Sequence, residues 1–122
     1  MIREMLPGDG PRILEIYQMG IESRNATFET EVPLWEEWDA RHLSHSRWVY
    51  TDKNIILGWV ALSPYSARKV YAGVAEVSIY VDIQAHGKGI GSLLMQEAIR
   101  SSEKAGIWTL FSNVFPENTA TI

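Results

Sequence analysis

Cysteine is absent from the 122-residue chain, which excludes a disulfide framework and any thiolate metal site. No apolar run approaches the roughly 18 residues that a membrane-spanning helix needs. The opening MIREMLPGDG lacks the charged-then-apolar layout of a secretory signal. Positive charge is in short supply: eleven Lys and Arg against fifteen Asp and Glu leave a net charge of −4. That sign excludes a general nucleic-acid binder, whose affinity rests on neutralising phosphates. There is also no internal repeat, low-complexity tract or linker-like stretch. What remains is 46% hydrophobic and 21% charged residues, the composition of an ordinary globular domain. The expectation is one soluble, cytoplasmic domain over residues 1–122. Five Trp and five Tyr are many for this length and suit either a core or a pocket lining.

Periodicity predicts the order β-α-α-β-β-β-α-β. Residues 1–6 read as a short strand. Asp9 is an expected N-cap, with Pro11 in the first turn, before Ile13, Ile16, Tyr17, Gly20 and Ile21 at helical spacing. A second helix is predicted from Pro33 through LWEEWDARHLSH. Trp48 to Thr51 and Ile55 to Leu62 read as strands joined at the polar turn Asp52-Lys53-Asn54. Val74 to Val81 is a further strand, with Ala75, Val77, Ile79 and Val81 on one face and Glu76, Ser78 and Tyr80 on the other. Gly89 to Ala105 carries a wide apolar stripe and reads as a helix, with Gly106 where a left-handed C-terminal cap belongs. Ile107 to Phe115 reads as a strand, and Asn118 as the N-cap of a helix start.

The stretch from Val74 to Ser92 is the informative one. A strand runs directly into Gln84-Ala-His-Gly87-Lys-Gly89-Ile-Gly91-Ser92, a glycine-rich turn that opens a helix. Glycines admit positive φ and let a ligand approach the backbone. The N–H groups of a helix start, at the positive end of its dipole, suit a pyrophosphate, and Lys88 adds a point charge. A P-loop requires G-x-x-x-x-G-K-[ST], but Lys88 is followed by Gly89, so that motif is absent. A dinucleotide fingerprint requires G-x-G-x-x-G/A; Gly87-x-Gly89-x-x-Ser92 misses its last position. The strand about 20 residues on offers Ser112 and Asn113 where that fingerprint needs an acid.

Gln84-x-x-Gly87-x-Gly89 resembles the Q/R-x-x-G-x-G/A pyrophosphate signature of the GNAT acetyltransferase superfamily. Its position after a fourth strand and at the head of an amphipathic helix strengthens the match. Ala75-Glu76-Val77-Ser78-Ile79-Tyr80-Val81 resembles the preceding strand of phosphinothricin and methionine sulfoximine acetyltransferases. Arg24-Asn25-Ala26-Thr27-Phe28-Glu29-Thr30 and Glu117-Asn118-Thr119-Ala120-Thr121 are similar to other segments of the same group.

The resemblance implies an α/β GNAT fold, with a mixed sheet splayed between strands 4 and 5 and flanked by helices. It implies acetyl-CoA as co-substrate, no metal, a small-molecule amine as acceptor and a homodimer. Backbone groups of Ile79, Tyr80 and Val81 would pair with the pantetheine arm as an added strand would. N–H groups from Gly87, Lys88, Gly89, Ile90, Gly91 and Ser92 would hold the pyrophosphate, and Asn118 would contact the cofactor further on. Glu76 matches the glutamate usually assigned as base, and a backbone N–H near Val81 would face the developing oxyanion. Phe28, Lys69, Val70 and Tyr71 fall where the relatives contact substrate. The tyrosine that often serves as acid has no counterpart here, and Tyr71 and Tyr80 do not match its position. Members of the family continue through a further helix and two strands, so the chain reads as C-terminally incomplete.

Two other functions share these features: a protein α-amine or ribosomal-protein acetyltransferase, and a non-catalytic acyl-CoA-binding module. Only catalysis needs the Glu76 carboxylate. His42 and His45 stand at i, i+3 on the predicted second helix but lack the third ligand that zinc requires, so they read as surface histidines. Arg68 reads equally as a carboxylate partner or a solvated charge. Trp35, Trp38, Trp48, Trp59 and Trp108 read as core.

Overall fold

The structure, a computed structural model, describes residues 1–22, 33–64, 73–85 and 87–112. Its elements follow the expected order: β1 (Ile2–Glu4), α1 (Gly10–Glu22), α2 (Trp35–Arg41), β2 (Trp48–Asp52), β3 (Ile55–Pro64), β4 (Val74–Val81), α3 (Ile90–Lys104) and β5 (Thr109–Ser112). Short 3-10 turns at Pro7–Asp9 and Ile83–Ala85 precede α1 and α3.

The described strands form one open sheet in the order β1-β2-β3-β4-β5. The first three pairings are antiparallel and β4–β5 is parallel, with α3 as the crossover that parallel neighbours require. Lys53 and Asn54 turn the β2–β3 hairpin with φ of 53° and 67°. Two successive positive values follow the strand twist, a backbone conformation that Asn54 adopts more readily than most residues. Beyond the turn, Tyr50 faces Gly58 and Thr51 faces Ile56, so Leu57 is the extra residue of a bulge.

Alternation along β3 and β4 sorts the core into two layers. Val60, Leu62, Ala75, Val77 and Val81 pack with Ile90, Leu94 and Ala98 of α3. The intervening Trp59 and Ala61 pack with Ile13 and Ile16 of α1 and Trp38 of α2. The two helical layers therefore cover opposite faces of the sheet. Trp38 and Trp59 are buried and meet edge to face at 5.3 Å, the geometry the ring quadrupoles favour. Trp59 in turn stacks on Tyr80 at 5.0 Å, and Tyr80 leans on Tyr17. A Cβ on Gly20 would lie 2.5 Å from the Tyr80 ring, so the glycine lets α1 settle against β4.

At its far end α3 closes as the sequence predicts. Gly106, at φ 91°, donates to Glu103 O at 3.1 Å, and Ile107 N–H reaches Ser102 O at 2.9 Å. These two bonds are the Schellman pair that satisfies the last carbonyls of a helix.

Four local expectations need correction. Asp9 does not cap α1: its carboxylate accepts from Leu6 N–H at 2.7 Å and pairs with Arg3, closing the preceding turn. Strand β5 starts at Thr109, because Ile107 serves the helix stop. Trp108 is 69% exposed rather than core; its ring lies over Gly73. The second helix ends at Arg41 and does not reach His45. Arg47 explains the stop, since its guanidinium donates to the carbonyls of Asp39, His42 and Leu43, at 3.0, 3.1 and 2.6 Å. A cation there also meets the negative end of the helix.

His42 is consequently not a surface helix residue. It is half-buried, stacks on Trp38 at 4.0 Å, and its Nδ1–H donates to Trp38 O at 2.7 Å. Burial pushes its pKa below the ordinary 6.5, only partly offset by that carbonyl bond, and the Arg47 and Arg41 charges push the same way. The unfolded chain therefore binds this proton more readily than the folded one. The resulting stability is present above about pH 6.5 and is lost as pH falls toward the folded-state value. His42→Phe, which keeps a ring on Trp38, should flatten the fall in denaturant-measured stability between pH 7.5 and 5.5. An unchanged slope would place that titration elsewhere.

Candidate active site

The site is built around the end of β4. Glu76, Ser78 and Tyr80 occupy the face toward α1 and α2, opposite the buried Ala75, Val77 and Val81. Tyr80 lies under the aromatic layer, whereas Glu76 lies nearer the strand's start, between Ser63 of β3 and Phe111 of β5. It is half-buried. Among the described residues none forms an ion pair or side-chain hydrogen bond with its carboxylate. A carboxylate so placed keeps its lone pairs available for a proton. The β4–β5 ladder is described from Val74 to Val77, while β4 itself continues to Val81.

Past Val81 the chain turns sharply. Asp82 is buried, and its Oδ1 accepts from Gln84 N–H at 2.8 Å while its carbonyl accepts from Ala85 N–H at 2.8 Å. Asp82 N–H in turn donates to the bulge carbonyl of Leu57 at 2.8 Å. Ala85 and Ile90 are buried on either side of the glycine loop and pin its ends to the α3 core. Between them Gly87, Lys88 and Gly89 are exposed. Gly87 and Gly89 have φ of 84° and 77°, and among the described residues, their chain neighbours aside, a Cβ on either would meet no atom within 4 Å. Gly89 is the N-cap of α3 and has no side chain with which to cap it. The opening N–H groups of a helix have no intrahelical acceptor. With no acidic residue in the first turn of α3 and Lys88 alongside, this helix start favours an anion.

The structure thus brings Glu76, Ile79, Tyr80 and Val81 onto one strand that leads directly into the loop of Gly87 to Ser92. Ile90 contributes only its backbone there, since its side chain belongs to the core. Phe28, Arg68, Lys69, Val70, Tyr71, His86 and Asn118 lie outside the described residues. Among the described residues no group of three or more His, Asp or Glu is placed to hold a metal ion. No described helix is long and apolar enough to cross a membrane. Sequence reasoning missed Asp82; its signal was an aspartate two residues before Gln84, the spacing of an Asx turn.

An open mixed sheet whose fourth strand feeds a glycine loop and a helix is the GNAT fold. The chain belongs to the acetyltransferase (GNAT) family, whose family model matches residues 11–122, and it is an enzyme of the acetyltransferase class. The Bacillus subtilis (strain 168) protein YwnH, provisionally named a phosphinothricin acetyltransferase, is 36% identical over 115 residues, covering 90% of this chain and 71% of that protein. Phosphinothricin N-acetyltransferase of Streptomyces coelicolor is 29% identical over 128 residues, covering 98% of this chain and 75% of its own length. In fold, a phosphinothricin acetyltransferase from Sinorhizobium meliloti, solved in complex with acetyl-CoA, superposes with a TM-score of 0.86 at 24% identity. That match spans 99% of this chain and 70% of the other.

Proposed function

We propose that this chain moves an acetyl group from acetyl-CoA to the primary amine of a small amino-acid-like acceptor of the phosphinothricin or methionine sulfoximine type. The observation that carries the reading is the loop itself: two left-handed glycines with open space above them, at the head of α3, on the strand that bears Glu76. The names of the B. subtilis and S. coelicolor relatives support the acceptor class.

The described residues fit the cofactor. Backbone N–H groups of Gly87 to Ser92 would hold the pyrophosphate, each charge-assisted bond contributing about 1.5–3 kcal/mol. The chain Ile79 to Val81 would align the pantetheine arm. When bound, acetyl-CoA supplies a thioester carbonyl open to attack. The acceptor arrives mostly as ammonium near pH 7, so a base must take its proton before or during attack. Glu76 takes it, directly or through one water. A nitrogen–carbon bond would then form as the carbon–sulfur bond breaks, with the second proton of the nitrogen lost to solvent and the departing sulfur taking one up from solvent or an acid.

Calorimetry with acetyl-CoA, followed by an assay over phosphinothricin, methionine sulfoximine, methionine sulfone and an alanine-starting peptide, tests the reading. Micromolar acetyl-CoA binding with turnover of the first three is expected. Turnover of the peptide alone would move the enzyme to protein α-amines, and binding without any turnover would make it an acyl-CoA-binding module.

A further inference from the structure

We infer that Arg12 and Asp82 form a positioning pair that pre-shapes the pyrophosphate loop from the opposite layer of the protein; this rests on the acetyl-CoA reading above. Arg12 lies in the first turns of α1, 70 residues from Asp82, yet its Nη2 reaches Asp82 Oδ2 at 2.5 Å. The Asp82 side chain is 8% exposed and that of Arg12 25%, so the pair is largely removed from solvent and weakly screened. Each partner does a second job. Asp82 Oδ1 fixes Gln84 N–H, setting the turn that aims the chain at Gly87. Arg12 Nε donates to Ile56 O at 2.9 Å, and Asp82 N–H donates to the adjoining Leu57 O. The two carbonyls that hold the pair are consecutive, and both belong to the bulged stretch of β3. The bulge, the start of α1 and the entrance to the loop are thereby locked together. Glu15 also pairs with Arg12 from one turn further along α1.

A cofactor loop needs this kind of support because its glycines have the widest backbone freedom of any residue. Ordering them in advance leaves less entropy to lose when an anion binds. Asp82→Asn keeps an acceptor for Gln84 N–H but removes the charge that holds Arg12. Arg12→Gln removes the cation from the more exposed side and is the variant better suited to fold.

The test compares acetyl-CoA with S-acetyl-pantetheine, which shares the reacting arm but has no pyrophosphate. Both variants should raise the acetyl-CoA Kd roughly tenfold, about 1.4 kcal/mol, and leave the pantetheine affinity within twofold by chemical-shift titration. In the unliganded proteins, amide exchange at Gln84 and Ala85 should quicken while exchange in α3 beyond Leu94 stays as in the wild type. Equal losses for both donors, or unchanged acetyl-CoA affinity in folded variants, would overturn the inference. A wild-type protein that does not bind acetyl-CoA would instead overturn the functional reading itself, and this inference with it.

Discussion

Glu76→Gln is expected to lower turnover of a responsive amine near pH 7 by roughly 10²–10⁴, the range for loss of one positioned acid–base group. Glutamine keeps the size and the acceptor oxygen of the side chain but cannot take a proton. Because no described side chain pairs with the Glu76 carboxylate, the substitution breaks no described ion pair and should leave the fold intact. Acetyl-CoA affinity should stay within about twofold, since the groups proposed to hold the cofactor are backbone groups beyond Ser78. The loss should shrink as pH rises, because more of the amine then arrives already deprotonated and needs no base. Steady-state rates across pH 6 to 10, with acetyl-CoA binding measured alongside, decide it. Unaltered turnover at pH 7 would place the base elsewhere, and lost cofactor binding would make Glu76 structural.

Gly89→Val should raise the acetyl-CoA Kd by at least 100-fold while the protein still folds. Two effects add. At φ 77° any side chain costs about 1–2 kcal/mol, and a β-branched one is the least tolerated. The second effect belongs to the site. Among the described residues, its chain neighbours aside, no atom lies within 4 Å of a Cβ built there, so the valine projects into the open space where the pyrophosphate would sit. Gly106→Val separates the two, because Gly106 has the same handedness at φ 91° and equal room but closes the far end of α3. That control should lose comparable stability in a denaturant melt and bind acetyl-CoA as the wild type does. Equal binding by both valine variants would remove the loop from the cofactor site.

Local rules make much of this protein legible in its sequence alone. Alternation in Val74–Val81 assigned the strand and its faces, Lys53-Asn54 marked the hairpin, and Gly106 marked the stop of α3. Each depends on residues only a few positions apart, where backbone geometry and side-chain period leave few alternatives. The family signature from Gln84 to Gly89 is of the same kind, a turn chemistry compressed into six residues. What needed the tertiary structure was every feature set by contacts outside the regular period of a single helix or strand. Arg47 ends α2 by taking its last carbonyls, which no helical periodicity within LWEEWDARHLSH could reveal. His42 leaves the surface because Trp38 and the sequence-distant Trp59 both offer it ring contacts, and Trp108 lies over Gly73 while staying 69% exposed. The bond between Arg12 and Asp82 exists only because α1 lies across the end of β4. Packing long-range partners together is decided by the shapes and charges of whole layers, and the loop that reads so plainly in sequence is held in position by that packing.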